Sequence, residues 1–248
     1  ATICQVTTTA SAGTIACNGG TTTVTVSATG GTAPYSGTGS FTVSAGSYSY
    51  TALDANGCSS TTSVSVSEPS AVVASSSATA ILCYGGSSTV TVSATGGTAP
   101  YSGTGTFTVT AGTYSYTVTD ANGCSTTTSV TVSEPTAVSA SSSATAILCN
   151  GGNSTVSVSA TGGTSPYTGT GTFTRGAGTW SFTVTDANGC STSTSVTITQ
   201  PNALVASSTA GTIACNGGTT TVTVSATGGT APYTGTGPFS VTAGTYTY

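Results

Sequence analysis

The sequence predicts an all-β chain, a tandem array of small antiparallel β-sandwiches. Three observations carry that expectation: a fixed period, a two-residue hydrophobic alternation, and turn residues at regular places. Cys17, Cys83, Cys149 and Cys215 stand 66 residues apart, as do Cys58, Cys124 and Cys190, and Pro34, Pro100, Pro166 and Pro232. A period of this length marks one folded unit repeated along the chain. It divides the sequence into repeats at 1–69, 70–135, 136–201 and 202–248, the last incomplete. The array is expected to be a window onto a longer polymer, and the opening ATICQVT to be a mature end left by signal cleavage.

Residues 70–135 represent the repeat. Residues 71–82 alternate weakly and predict a first strand ending at Cys83. Tyr84-Gly85-Gly86 is a tight turn, and its counterparts Asn18-Gly19 and Asn150-Gly151 suit the positive φ of such turns. Residues 88–95 predict a half-buried strand, with Val90, Val92 and Ala94 on one face and Thr89, Thr91 and Ser93 on the other. Gly96 to Tyr101 is a loop broken by Pro100, and Tyr101 is expected to fold back onto the core. Residues 105–111 place Phe107 and Val109 inside. Residues 113–119 place Tyr114, Tyr116 and Val118 inside. Asp120-Ala121-Asn122-Gly123 is a hairpin turn, residues 126–133 place Val130 and Val132 inside, and Glu134-Pro135 closes the repeat as Glu68-Pro69 and Gln200-Pro201 do. Helical spacing is absent, and short alternating strands between Gly, Asn and Pro turns point to a sandwich. Strands of about nine residues are about 30 Å long, so repeats stacked end to end are expected to form a thin rod.

Composition removes several function classes. Charged residues make up 2% of the chain: five acids, Arg175, no Lys and no His, with a net charge of −4. Nothing here neutralises phosphates, so nucleic acid is not an expected partner. No apolar run approaches the ~18 residues of a membrane helix, so insertion is not expected. Catalysis finds no His, no Lys and no paired carboxylates, and Ser and Thr have no base to activate them. The chain is not expected to be an enzyme or to carry a cofactor. Two Cys per repeat without His favour disulfides in an oxidising compartment over zinc.

Taken together, several motifs resemble a known family. C-N/Y-G-G, then TVTVSATGG-T-A/S-P-Y, then AGTYSYTVTDANGC, then SVTVSEP is similar to the SprB-type repeat of large secreted Bacteroidetes adhesins, which include the surface filaments used in gliding motility. The resemblance covers all but about the first dozen residues. It implies an immunoglobulin-like repeat, extracellular display at the cell surface, and an adhesive or filamentous role. The chain departs from that family in its high Ser/Thr content and near absence of charge.

Two cysteine pairings are open. One joins Cys17 to Cys58, Cys83 to Cys124 and Cys149 to Cys190, each inside its repeat. In an immunoglobulin-like order, however, the two cysteines of one repeat lie at opposite ends, about 30 Å apart. A disulfide needs Cα atoms within about 4.4–6.8 Å. The favoured pairing therefore crosses repeats: Cys17 with Cys124, Cys83 with Cys190, and Cys4 with Cys58. Cys149 and Cys215 would then pair with cysteines beyond Tyr248. A repeat near 66 residues is marginal alone, and either staple stabilises it, commonly by about 2–4 kcal/mol.

The remaining features admit two readings each. The Asp54, Asp120 and Asp186 turns suggest calcium, but one carboxylate per turn falls short of the usual set, and a hydrogen-bonded turn is expected instead. Tyr48, Tyr114, Tyr246 and Trp180 form either a carbohydrate-stacking row or part of the core, and their alternation favours the core. Arg175 is expected on a loop, with no inferable role. Asn153-Ser154-Thr155 is a lone N-glycosylation sequon. The outward Ser and Thr rows are read as O-glycosylated, as plain polar surface, or as a flat array binding ice or another ordered surface. Uncharged strand edges are expected to be covered by glycans or neighbouring chains. The expectation is a secreted structural segment of a filament or adhesin stalk, self-associating or glycan-coated. The alternative is a multivalent glycan- or ice-binding module.

Overall fold

The computed structural model describes residues 5–248. It is all-β, with no helix among the described residues. The first repeat holds β1 (Thr7–Ala12), β2 (Thr22–Thr29), β3 (Gly39–Val43), β4 (Gly46–Leu53) and β5 (Ser59–Val66). The second holds β6 (Val73–Ala78), β7 (Ser88–Thr95), β8 (Gly105–Val109), β9 (Gly112–Thr119) and β10 (Ser125–Val132). The third holds β11 (Ser139–Ala144), β12 (Ser154–Thr161), β13 (Gly171–Arg175), β14 (Gly178–Thr185) and β15 (Ser191–Ile198). The fourth holds β16 (Val205–Ala210), β17 (Thr220–Thr227) and β18 (Gly237–Val241). The chain divides into two compact units, one of Ala1–Ile81 with Gly85–Ser133, the other of Leu82–Tyr84 with Glu134–Tyr248.

Each five-stranded repeat makes a three-stranded and a two-stranded antiparallel sheet. In the second repeat the orders are β6-β7-β8 and β10-β9. The register sets Val90 opposite both Ala78 and Phe107, and Val130 opposite Tyr114. Because side chains alternate along a strand, this register sends one apolar row from each sheet inward. The rows meet in a core of Ile81, Val90, Val92, Val118 and Val132, flanked by Tyr101, Phe107, Tyr114 and Tyr116. Val90 and Val118 are fully buried, and each such side chain contributes about 1.5–3 kcal/mol relative to exposure. The first repeat repeats the plan around Ile15, Val24, Val26 and Val66, the third around Ile147, Val156, Val158, Phe182, Val184 and Ile198.

The first and last strands of a repeat lie side by side. Thr8 donates from N and Oγ1 to Ser60 Oγ and O, at 3.2 and 2.8 Å. Ser76 and Thr128 share a hydroxyl hydrogen bond of 2.9 Å, and Ser142 and Thr194 one of 3.1 Å. The partners are 52 residues apart in all three repeats, at two different depths along the strands. A constant difference means the two strands run parallel.

Several expectations are corrected. The first strand spans Val73–Ala78 rather than 71–82, and β8 ends at Val109. Ile81 is buried although it lies outside any strand. The tight turns do supply the expected positive φ, through Gly19 (+74°), Gly85 (+74°) and Gly151 (+78°), and among the described residues glycine alone adopts it. Arg175 is not on a loop. It ends β13 and places its guanidinium 5.0 Å from the Trp180 ring and 5.6 Å from that of Phe173, a cation–π arrangement that an extended chain on a half-buried face permits. Tyr48 and Tyr114 are half-buried against their cores, and their hydroxyls donate to Ser44 O and Thr110 O at 3.1 Å. Trp180 and Tyr246 are exposed.

Candidate functional site at the disulfide-linked joint

The chain enters a repeat at one end and leaves at the other. In the second repeat, Gly97 N donates to Ser70 O at 2.8 Å, so the incoming chain lies beside the loop after β7. That same loop meets the β9–β10 turn, because Thr98 N donates to Asp120 Oδ2 at 2.9 Å. At the other end of the first repeat, Gly19 N donates to Glu68 Oε2 at 2.6 Å and Asn18 Nδ2 to Pro69 O at 3.1 Å. The β1–β2 turn thus holds the departing chain.

The cysteine at each end is set by a different local device. Before Cys17, the buried Ile15 anchors the segment, and Gly20 N returns to Cys17 O at 3.0 Å. Cys124 follows an Asp-centred turn. Asp120 Oδ1 accepts from Asn122 N and Cys124 N, both at 2.9 Å, while Gly123 N donates to Asp120 O at 3.1 Å. The same three contacts surround Asp54 and Asp186. A carboxylate that accepts several backbone N–H groups is held in its charged form. The Thr32 N–H is the main cause of lowering at Asp54, and the Thr164 N–H at Asp186. At Asp120 burial pushes the carboxyl up, and the N–H groups of Thr98, Cys124 and Asn122 together outweigh it. The turn also demands glycine at Gly97, where φ is +59° and a Cβ would come within 2.5 Å of both Asp120 Oδ2 and Val72 Cγ2.

These ends meet in a covalent bond. Within the first compact unit Cys17 is bonded to Cys124, Cα atoms 5.6 Å apart, across 107 residues. Within the second, Cys83 is bonded to Cys190 with the same Cα distance and the same separation. Asn122 Nδ2 donates to Ala16 O at 3.1 Å beside the first bond, and Asn188 Nδ2 to Leu82 O at 3.2 Å beside the second. Cys124 Sγ lies 3.4 Å from Ala16 O, a contact only, since a disulfide sulfur carries no hydrogen. Cys58 is disulfide-bonded and buried; the expected partner Cys4 lies outside the described residues. Cys149 and Cys215 are exposed thiols.

Two participants escaped the sequence reasoning. Asn122 reads there as a turn residue, yet its amide spans the joint and also reaches Thr98 Oγ1 at 3.0 Å. Thr98 reads as loop, yet it gives Asp120 a hydrogen bond, accepts one from Ala121 N at 2.8 Å, and holds the Asn122 amide. The available signal was internal: Thr32, Thr98 and Thr164 each follow Gly-Gly, and Asn56, Asn122 and Asn188 each precede Gly-Cys. Among the described residues no cluster of three His, Cys, Asp or Glu side chains is placed to hold a metal ion. No protein-family model matches the chain, and no curated protein matches it either.

Proposed function

We propose that this chain is a structural segment of a secreted surface filament or adhesin stalk, built from immunoglobulin-like repeats each bonded to the next. The observation that carries the reading is the Cys17–Cys124 bond between successive repeats. An enzyme or a soluble binding domain gains little from tying one repeat to its neighbour. A tether gains directly, because load along a tandem array passes through every joint. The placement of incoming and outgoing chain at opposite ends of a repeat supports the same reading. So does the resemblance to SprB-type repeats, which adds extracellular display and a role in adhesion or gliding motility.

The exposed thiols of Cys149 and Cys215 occupy the positions that Cys17 and Cys83 use for bonding. In the filament they bond the Asp-Ala-Asn-Gly-Cys turn of a further repeat. The outward Ser and Thr rows carry O-linked glycans or contact neighbouring chains, which protects strand edges that lack charge. Antibodies against the array, used for immunogold microscopy on intact cells of the source organism, test the proposal. Gold along surface filaments is the expected result, and label seen only after permeabilisation overturns it. Intact mass of this stretch from native material tests the coat, since 23.5 kDa would mean a bare polypeptide.

The second reading, a multivalent glycan- or ice-binding module, draws on the hydroxyl rows of the two-stranded sheets. Thr51 pairs with Thr61 at 2.8 Å, and Thr113 with Thr131 at 3.1 Å. Those hydroxyls already bond one another, which favours the structural role. A glycan array and an ice-recrystallisation assay on disulfide-intact protein separate the two, since a passive stalk is silent in both.

A further inference from the structure

The two bonds, followed along the chain, trace separate covalent routes. One runs down β1 to Cys17, crosses to Cys124, follows β10 past Glu134-Pro135 into β11, and arrives at Cys149. The other leaves Cys58 along β5, passes Glu68-Pro69 into β6, crosses from Cys83 to Cys190, and follows β15 and β16 to Cys215. They share no residue. Each repeat is crossed by one strand of each route, and the routes exchange strands at every repeat: the first uses β1, then β10, then β11, while the second uses β5, β6 and β15.

We propose that these two routes carry tension and that the rest of each repeat hangs outside the load path. The segment 84–123, with β7–β9, lies outside both routes; 18–57 (β2–β4) and 150–189 (β12–β14) lie outside them as well where Cys58 and Cys149 are bonded to carry load onward. Each is about 40 residues, more than half a repeat. The two load strands of a repeat are the parallel neighbours joined by Thr8–Ser60, Ser76–Thr128 and Ser142–Thr194. Side-chain hydroxyls, not a backbone ladder, bridge them. Forced unfolding of an ordinary β-domain follows its unfolding rate. Here no unfolding lengthens the route, because the shortest covalent path already skips the foldable segment. The excluded segments are free to vary or to present surface chemistry at no mechanical cost.

The bypass of 84–123 follows from the two bonds alone and holds whether or not the chain is displayed on a cell, so this inference and the filament reading fail separately. Single-molecule force spectroscopy on the full chain tests it, with handles on azide-bearing residues at the exposed positions Ser70 and Asn202. Between them the covalent path through Cys83–Cys190 is about 25 residues, about 85 Å when fully extended. Without the bond it is about 132 residues, about 450 Å. The oxidised chain is expected to stop near the short length, and reduction to release about 365 Å more. A Cys83→Ser/Cys190→Ser chain should show the long length without reductant. A Cys17→Ser/Cys124→Ser chain should keep the short one, because that bond belongs to the other route. Mass spectrometry under non-reducing conditions verifies the remaining bond in each variant. Lengthening of the oxidised chain well past 85 Å, or of the Cys17→Ser/Cys124→Ser chain, overturns the proposal.

Discussion

Replacing both Cys17 and Cys124 by Ser removes the first joint bond without leaving a free thiol, and the loss can be sized from the geometry. Asn18 Nδ2 reaches Pro69 O, so the bond sits beside the point where the first repeat hands over to the second. When the first repeat unfolds against a folded second repeat, the bond closes a loop from Cys17 to about residue 69. When the second unfolds against a folded first, the loop runs from about residue 70 to Cys124. Both loops are about 50 residues, and closing one in the unfolded chain is worth about 4 kcal/mol on the chain-entropy relation. The bond therefore protects either repeat alone, which a bond inside one repeat would not do. A domain of this size shifts its Tm by about 4–8 °C per kcal/mol. The melting of the first two repeats should fall by about 15–30 °C in the double variant, read by calorimetry on chains with Cys149 and Cys215 alkylated. A fall of under about 3 °C, or a fall confined to one of the two repeats, would refute the loop argument.

Asn122→Ala removes the amide that reaches Ala16 O and Thr98 Oγ1. It should cost about 1–2 kcal/mol, seen as faster amide hydrogen exchange in the 120–124 turn and a lower Tm. The turn carboxylates predict an acid limb. Asp54, Asp120 and Asp186 are all lowered in the fold, so their contribution is complete above the unfolded value near 3.9 and is lost as pH falls through the lower folded value. Thermal melts should be flat from pH 7 to 5 and fall below about pH 4, with Asp120→Asn flattening the second repeat's share. A fourth prediction comes from a pair that changes together between repeats. Thr79 and Ser88 face each other, with Ser88 Oγ donating to Thr79 O at 2.6 Å, while the first repeat has Gly13 and Thr22, where a Cβ on Gly13 would lie 2.6 Å from Thr22 Oγ1. Ser88→Thr alone should cost about 1–3 kcal/mol by overpacking. Thr79→Gly with Ser88→Thr should recover about 1 kcal/mol or more of the summed single costs in a double-mutant cycle.

The strand register was legible because it is a local pattern. The expected strand at 88–95 coincides with β7, and Val90, Val92, Val118, Val130 and Val132 all reach the core that alternation assigns them. The strand ends were less legible where packing overrides alternation: β6 stops at Ala78, and Ile81 is buried from an irregular segment that leads to Cys83. Alternation also marked only the Val half of β10 as inward. Thr126 and Thr128 face inward as well, and Thr128 meets Ser76 there. Arg175 misled because a lone base in an apolar pattern reads as a break, whereas three aromatic rings around its guanidinium let it continue the strand. The amide of Asn122 was out of reach for another reason. Its partner Ala16 is 106 residues away, and nothing in a turn motif encodes what the next repeat will bring to it.

The scarcity of charge and the abundance of hydroxyls have one physical explanation. A chain with 2% charged residues cannot hold itself together with ion pairs. Hydroxyls do three distinct jobs instead. On exposed faces they pair across strands, as Ser75 does with Ser93 at 2.8 Å and Thr183 with Ser193 at 3.1 Å, the favourable cross-strand arrangement for short polar side chains. Between the first and last strands they bridge the two sheets where a backbone ladder is missing. Beside the first turn of the second and third repeats, Ser88 and Ser154 are almost fully buried and each caps a carbonyl, which satisfies a polar group in the core. Neutral hydroxyl pairs are not screened by salt as surface ion pairs are, and they do not titrate in the ordinary range. The groups that respond to acid or redox conditions include the turn carboxylates, Glu68 on the Gly19 N–H, the sulfur bonds and the exposed thiols of Cys149 and Cys215, and these lie at the ends of the repeats. Acid and reductant thus act on the array first at the ends of the repeats, where one is fastened to the next.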